Sequence, residues 1–450
     1  MTRSDSLESM PTPTAGQTRP WLPLFIAVCL VAINMRMTIS GVGPLLDEIA
    51  ADQGVSPTVL GLLASVPLLA WAAISPLAHG LAARIGLDQA VSWSLVVLMI
   101  ATAWRSVPGT PVNLWLGTAL IGAALAVTNV LMPAAIKRDF GGRVPLVMGV
   151  YSALIGLSGA LGAGIVGPVA HFEREDGSAL GWHWALLATG VTIPVALIAW
   201  AWTTRRSSAS GGTAGQAASE AAIAIAGEAA GTAADAAAAG EPDQPAAPAG
   251  PAQEERGAGR RVWRDPVAWQ IALYMGAQSW CFYIYATWLA PIDLSRGTDG
   301  VTASLNMMFF HSCGIVGSLV SPLISRGAMR RLLPLIVPLV SLVGVVGVVF
   351  APGALPLWLI LCGLSSGAGL SIALTFIAQR SSGAATAGAV SGMSQSFGYL
   401  IAGAGPILFG WLHGVSGAWA LPLLAVLTGV LLQFGAGIAL LRERLVFTRP

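Results

Sequence analysis

Twelve stretches of this chain run for roughly 20 apolar residues each, the length an α-helix needs to cross a hydrocarbon core about 30 Å thick. They fall near 22–44, 57–79, 88–106, 112–136, 145–169 and 182–202, and again near 267–291, 301–324, 332–351, 355–378, 386–410 and 418–441. Of the 450 residues 55% are hydrophobic and only 10% charged, against about 25% charged in soluble domains. The chain is therefore expected to be an all-α polytopic membrane protein, with 12 transmembrane helices in two sets of six. The expected divisions are a tail at 1–20, a six-helix bundle at 21–202, a linker at 203–264, a second six-helix bundle at 265–441 and a tail at 442–450. The linker stretch is rich in Ala, Gly, Ser, Glu and Pro, with no aromatic residue from 207 to 262. It has nothing with which to form a core, and disorder is expected there. The run from Trp21 is too long for a cleaved signal peptide and lacks a small-residue cleavage site, so it is expected to remain as the first helix.

Charge placement fits twelve crossings. With the N terminus inside, the cytoplasmic segments hold 19 of the 23 Lys and Arg, and the outside loops hold only Arg105, Arg174 and Arg296. That bias follows the positive-inside rule and places both termini in the cytoplasm, with the chain in the cell inner membrane. The two halves also echo one another. Ser75-Pro76-Leu77 and Ser321-Pro322-Leu323 are offset by 246 residues, Pro44 and Pro291 by 247, and Leu114-Trp115-Leu116 and Leu357-Trp358-Leu359 by 243. Matches in order at nearly one offset suggest a duplicated six-helix unit. Cys29, Cys281, Cys313 and Cys362 lie in apolar runs without C-x-x-C spacing, which reads as small core residues and not as disulfides or metal ligands.

The remaining basic residue is Arg36. It lies about 21 Å into the first run at about 1.5 Å per residue, slightly past the bilayer middle and too deep to snorkel easily. An arginine at that depth costs at least about 2.5–3.5 kcal/mol on insertion scales, so it should face a protein-lined cavity. There it can offer a rigid fork of donors to a planar oxyanion or carboxylate; the alternative is a guanidinium satisfied by helix carbonyls. Asn34, two residues earlier, points elsewhere, towards a neighbouring helix with Asn129 as one partner considered.

Asn34-Met35-Arg36 followed by Gly43-Pro44-Leu45-Leu46, the stretch Asn129 to Phe140, and Gly149-Val150-Tyr151-Ser152 carry a resemblance, as do Trp288-Leu289-Ala290-Pro291 and Gly392 to Tyr399 in the second half. The chain resembles the major facilitator superfamily, and within it the cyanate and 2-nitroimidazole transporter family. Two departures stand out: the family's Leu-Arg-Pro after the first-helix Asn reads Met35, Arg36, Met37, and Ala83 occupies the acidic position of the superfamily's loop after the second helix. The resemblance implies a substrate site lined by spans one, four, five, seven, eight and eleven. The deep polar residues there are Arg36, Asn34, Asn129, Tyr151, Gln278, His311, Gln395 and Tyr399. For Asn129, Gln278 and Gln395 interhelical bonding is an equal reading, and for the tyrosines a packed ring with its hydroxyl on backbone. Trp280, Tyr283 and Trp288 could form an aromatic wall.

No Asp or Glu falls in the middle of a span. His311 is thus the expected proton carrier if a proton is coupled; a hydrogen-bonded structural role is the competing reading. Lys137, Arg138 and Asp139, at the end of the fourth span, read either as a topology anchor or as a gate pairing with the second half near Arg380. There is no G-x-x-x-x-G-K-[ST], hence no ATP motif, and no clustered ligands for an enzyme. The expectation is a secondary active transporter of a small anionic or polar solute, cyanate-like, working by alternating access as a monomer without cofactor or nucleic acid. Export of small heteroaromatic compounds such as nitroimidazoles is the alternative.

Overall fold

In hydrocarbon a chain must satisfy its own backbone polar groups, and each apolar run does so as a helix. The structure, a computed structural model, describes residues 21–211, 261–381, 384–442 and 444–447. The N-terminal tail and residues 212–260 of the expected linker therefore lie outside the described residues; the linker's ends are ordered, contrary to expectation, with 203–211 continuing the last helix of the first half and Val262 buried. The first half comprises α1 (Trp21–Ser40), α2 (Leu46–Gln53), α3 (Pro57–Ile85), α4 (Leu87–Arg105), α5 (Pro111–Phe140), α6 (Val144–Ala170), α7 (Trp182–Ala188) and α8 (Ile193–Gly211). The second comprises α9 (Pro266–Leu294), α10 (Gly300–Ile324), α11 (Met329–Phe350), α12 (Leu355–Arg380), α13 (Ala384–Ser416) and α14 (Leu423–Leu440). Proline opens α3, α5 and α9, where its missing N–H is no loss. Asp265 and Asp299 cap α9 and α10 by accepting from backbone N–H groups of the first turn.

Among the described residues eleven stretches are long and apolar enough to cross a membrane by composition. The twelfth crossing is α9, whose Gln, Ser, Thr and Tyr side chains are nearly all buried among its neighbours. Two spans differ from expectation. The first continues through a 3-10 turn at Gly43–Leu45 into the short α2. The sixth is interrupted at 189–192, dividing α7 from α8. Pro194, in the first turn of α8, cannot donate to the Gly190 carbonyl, and its ring would clash with it, so the helix restarts. Thr189, fully buried, donates its hydroxyl to the Leu186 carbonyl at 2.6 Å, which returns a partner to backbone freed at membrane depth.

Two helix pairs join the halves: α3 packs on α13 and α6 on α10. Small residues let them approach. A Cβ at Gly164 would lie 2.6 Å from Met308 Sδ, and one at Gly156 2.8 Å from Ile315. At the end of the bundle where α1 finishes, the halves touch closely: Gly43 abuts the Ala286 carbonyl, Gly61 the Pro406 carbonyl and Gly410 the Pro57 carbonyl. The opposite end carries Arg84, Arg138, Arg143, Arg205 and Arg380. There Gly80 on α3, Gly149 on α6, and Gly388 and Gly392 on α13 have nothing within 4 Å of where a Cβ would stand. The halves are closed at one end and splayed at the arginine-rich one.

Candidate solute site between the halves

Arg36 sits on α1, partly exposed, facing α9 of the other half. Its Cζ lies 5.3 Å from the ring centroid of Phe282 and 6.0 Å from that of Tyr283. The cation thus rests on π-faces. Its backbone N–H donates to Ser158 Oγ on α6 at 3.1 Å, and that hydroxyl donates to the Ile155 carbonyl. Among the described residues the guanidinium has no ion-pair or hydrogen-bond partner. The reading in which helix carbonyls satisfy it is not what the structure shows.

Next to Ser158, Gly159 is where α1, α6 and α10 converge. A Cβ there would lie 3.3 Å from Ser40 Oγ, 3.7 Å from His311 Nδ1 and 3.9 Å from Arg36 Cβ. Its bare backbone leaves room for all three. Tyr283, Tyr399 and His311 lie within electrostatic reach of Arg36, and Tyr151 within reach of Tyr399. Trp71 on α3 meets Tyr399 edge-on, with centroids 5.0 Å apart. Around this cluster the Tyr151 and Tyr283 hydroxyls, Trp71 Nε1 and His311 Nε2 are buried without hydrogen-bond partners. Buried polar groups are normally paired, so four orphans grouped about one unpaired cation mark a place for a guest. A guanidinium and an indole can only donate, and the hydroxyls can do so; among the described residues no carboxylate pairs with them. The set is matched to a ligand made of acceptors.

The other expected site residues are placed differently. Asn34 is fully buried and does turn to a neighbouring helix, but its partner is Thr192 at the break before α8, whose hydroxyl donates to Asn34 Oδ1 at 2.8 Å, and not Asn129. Its own amide donates to the Leu30 carbonyl at 2.8 Å. Asn129 is half-buried on α5 and its side chain makes no hydrogen bond among the described residues. Gln278 is not brought to Arg36: it lies inside the second half, donating to Ser279 Oγ at 2.7 Å and packing near Gly369 and Gln433. Gln395 donates along its own helix to Ser391 Oγ at 2.9 Å. Of the proposed aromatic wall only Tyr283 faces the cluster. Trp280 donates to the Ala425 carbonyl and Trp288, 2% exposed, to the Pro406 carbonyl, so Trp288 is a core residue and not part of an interfacial belt.

Among the described residues Arg138 makes no pair with the second half. Arg138 pairs with Asp88 at 2.7 Å and with its neighbour Asp139 at 2.7 Å, both in its own half. Lys137 is exposed beside it. Arg380 donates to the Leu440 carbonyl at 2.9 Å, closing the end of α14. Residues missed from the sequence are Phe282, Trp71, Ser158 and Gly159. Phe282 had a signal, an aromatic run from Trp280 to Tyr285; the others look like any Trp, Ser or Gly of a membrane helix.

Two six-helix bundles that meet around one buried polar site, closed at one end and open at the other, define a polytopic membrane transporter and not an enzyme. The chain belongs to the Major Facilitator Superfamily, whose family model matches residues 24–406. It is similar to the 2-nitroimidazole transporter of Escherichia coli (strain K12), 33% identical over 418 residues, covering 92% of this chain and 94% of that protein. It is also similar to the cyanate transport protein CynX of the same organism, 26% identical over 395 residues, covering 88% of this chain and 91% of the relative. Among solved structures, a bacterial homolog to the human lysosomal transporter Spinster, in an inward-facing and unoccupied conformation, superposes with a TM-score of 0.73 at 15% identity. That superposition covers 96% of this chain and all of the other, and likens the fold alone.

Proposed function

We propose that the chain is a secondary active transporter of the cell inner membrane that moves a small planar oxyanion by alternating access, with Arg36 as its principal contact. The observation that carries this reading is the unpaired Arg36 guanidinium ringed by orphaned donors from both halves. Trp71 and Tyr151 belong to the first half, Tyr283 and His311 to the second, so a bound anion would be held by both and would bias their closure. With the arginine-rich end cytoplasmic, as the positive-inside rule requires, both termini are cytoplasmic and the open end faces inward. His311, without a carboxylate beside it, is the group available to carry a coupled proton.

A second reading has one observation in its favour. Phe282, Tyr283, Tyr399 and Trp71 form aromatic faces around the same cation, and one relative is named for 2-nitroimidazole; a small heteroaromatic could stack there with its nitro group on Arg36. The test is thermal stability of the purified protein against cyanate, nitrate, small carboxylates and nitroimidazoles, in wild type and Arg36→Ala, since a ligand stabilises by mass action. A shift from an anion that the variant loses supports the first reading. Shifts confined to nitroimidazoles support the second, and a shift retained in the variant returns Arg36 to packing.

A further inference from the structure

A groove of about 740 Å³ runs between α4 and α8 on the outer surface of the first half. At its arginine-rich end stand Asp88 and Arg205, and along its length Trp93, Val96, Ile198 and Trp202. The two ends differ in chemistry. Ile198 is 68% exposed and Trp93 61%, as side chains are that face hydrocarbon. Asp88 is already neutralised by Arg138 at 2.7 Å. Arg205 has no ion-pair or hydrogen-bond partner among the described residues, which leaves one uncompensated cation where an apolar trough reaches the membrane surface. Trp93 and Trp202 flank the trough with amphipathic rings of the kind found at that depth.

We propose that this groove is a binding site for an anionic phospholipid, with an acyl chain along Val96 and Ile198 and the headgroup phosphate on Arg205. Charge selects the headgroup, because only an anion pairs the cation that Arg138 has left over after taking Asp88. Shape selects a chain, because the walls beyond Arg205 are apolar and open sideways to the bilayer. The site is separate from Arg36: it uses the outer faces of α4 and α8.

The test is native mass spectrometry of the full chain released from nanodiscs of equimolar phosphatidylglycerol and phosphatidylcholine. Wild type should retain phosphatidylglycerol in preference. Arg205→Gln should lose that preference by about fivefold, the effect of one interfacial cation, while Arg84→Gln, which removes an exposed cation outside the groove, should not. Ile198→Trp, a lipid-facing change the fold tolerates, should lower retention of both lipids by filling the trough. A photo-reactive benzoylphenylalanine placed at Ile198 should form its adduct with phospholipid. Equal retention in wild type and Arg205→Gln, or an adduct with the chain's own residues 212–260, would overturn the proposal.

Discussion

Replacing Arg36 with alanine separates a binding arginine from a packing one, because the two roles move stability and ligand response in opposite directions. Each charge-assisted hydrogen bond to a buried anion is worth about 1.5–3 kcal/mol, and a guanidinium fork makes two. Loss of the fork should weaken binding by about 3–5 kcal/mol, or roughly two to four orders of magnitude. At a ligand concentration about 100 times the wild-type Kd, wild type gains about 2.7 kcal/mol, whereas the variant should gain about 0.4 kcal/mol or less. The ligand-free protein should respond differently. Alanine removes the ring contacts to Phe282 and Tyr283, about 0.5–2 kcal/mol each, but also an unpaired cation whose presence at membrane depth costs about 2.5–3.5 kcal/mol. These terms nearly cancel, so the unliganded variant should melt within a few degrees of wild type. Arg36→Lys keeps the charge and loses the fork, and should restore only part of the shift. Melting curves with and without the anion that stabilises wild type make the measurement. A destabilised unliganded variant that still responds fully to ligand would refute the assignment.

Other expectations follow from particular contacts. Asn34→Ala and Thr192→Val should each lower stability by about 1–3 kcal/mol, because each leaves a buried polar partner unmatched, and the double variant should lose less than the sum in chemical denaturation. Gly159→Leu should abolish transport with correct insertion retained, as its side chain would fill the space shared by Arg36, Ser40 and His311; liposome uptake reads this, and undiminished uptake would remove Gly159 from the site. Arg138→Gln should leave transport nearly intact, since its pairs with Asp88 and Asp139 lie within one half and are partly exposed; loss of uptake with normal insertion would restore the gate reading. Asp299, held below the usual carboxylate range by the Thr302 backbone N–H and hydroxyl, lends α10 a cap that is present at neutral pH and lost as pH falls through its lowered value. Asp299→Ala should therefore flatten the acid limb of the stability profile, and an unchanged limb would exclude the cap as its source.

Much of the fold follows from apolar length. Runs near 20 residues have no alternative to helices in a bilayer, and the offsets between Pro44 and Pro291 or Ser75 and Ser321 made the duplication legible before any tertiary contact. Arg36 was legible for the same reason, since a cation at that depth cannot be neutral in its consequences. The ring around it was not. Gln278 and His311 look alike in sequence, each one polar residue in a long apolar helix, yet His311 meets Arg36 across Gly159 while Gln278 is enclosed in its own bundle. Nothing in a single helix says which of its faces a second helix will cover. Likewise, that Arg138 bonds Asp88 follows from how α4 docks beside α5. The sequence alone thus determined the helices, their repetition and the one charge that needs a cavity, because hydropathy and depth are properties of each segment. Which side chains surround that charge, and which end of the bundle is open, only the tertiary structure decided, because both depend on the rotation of each helix and the docking of one half on the other.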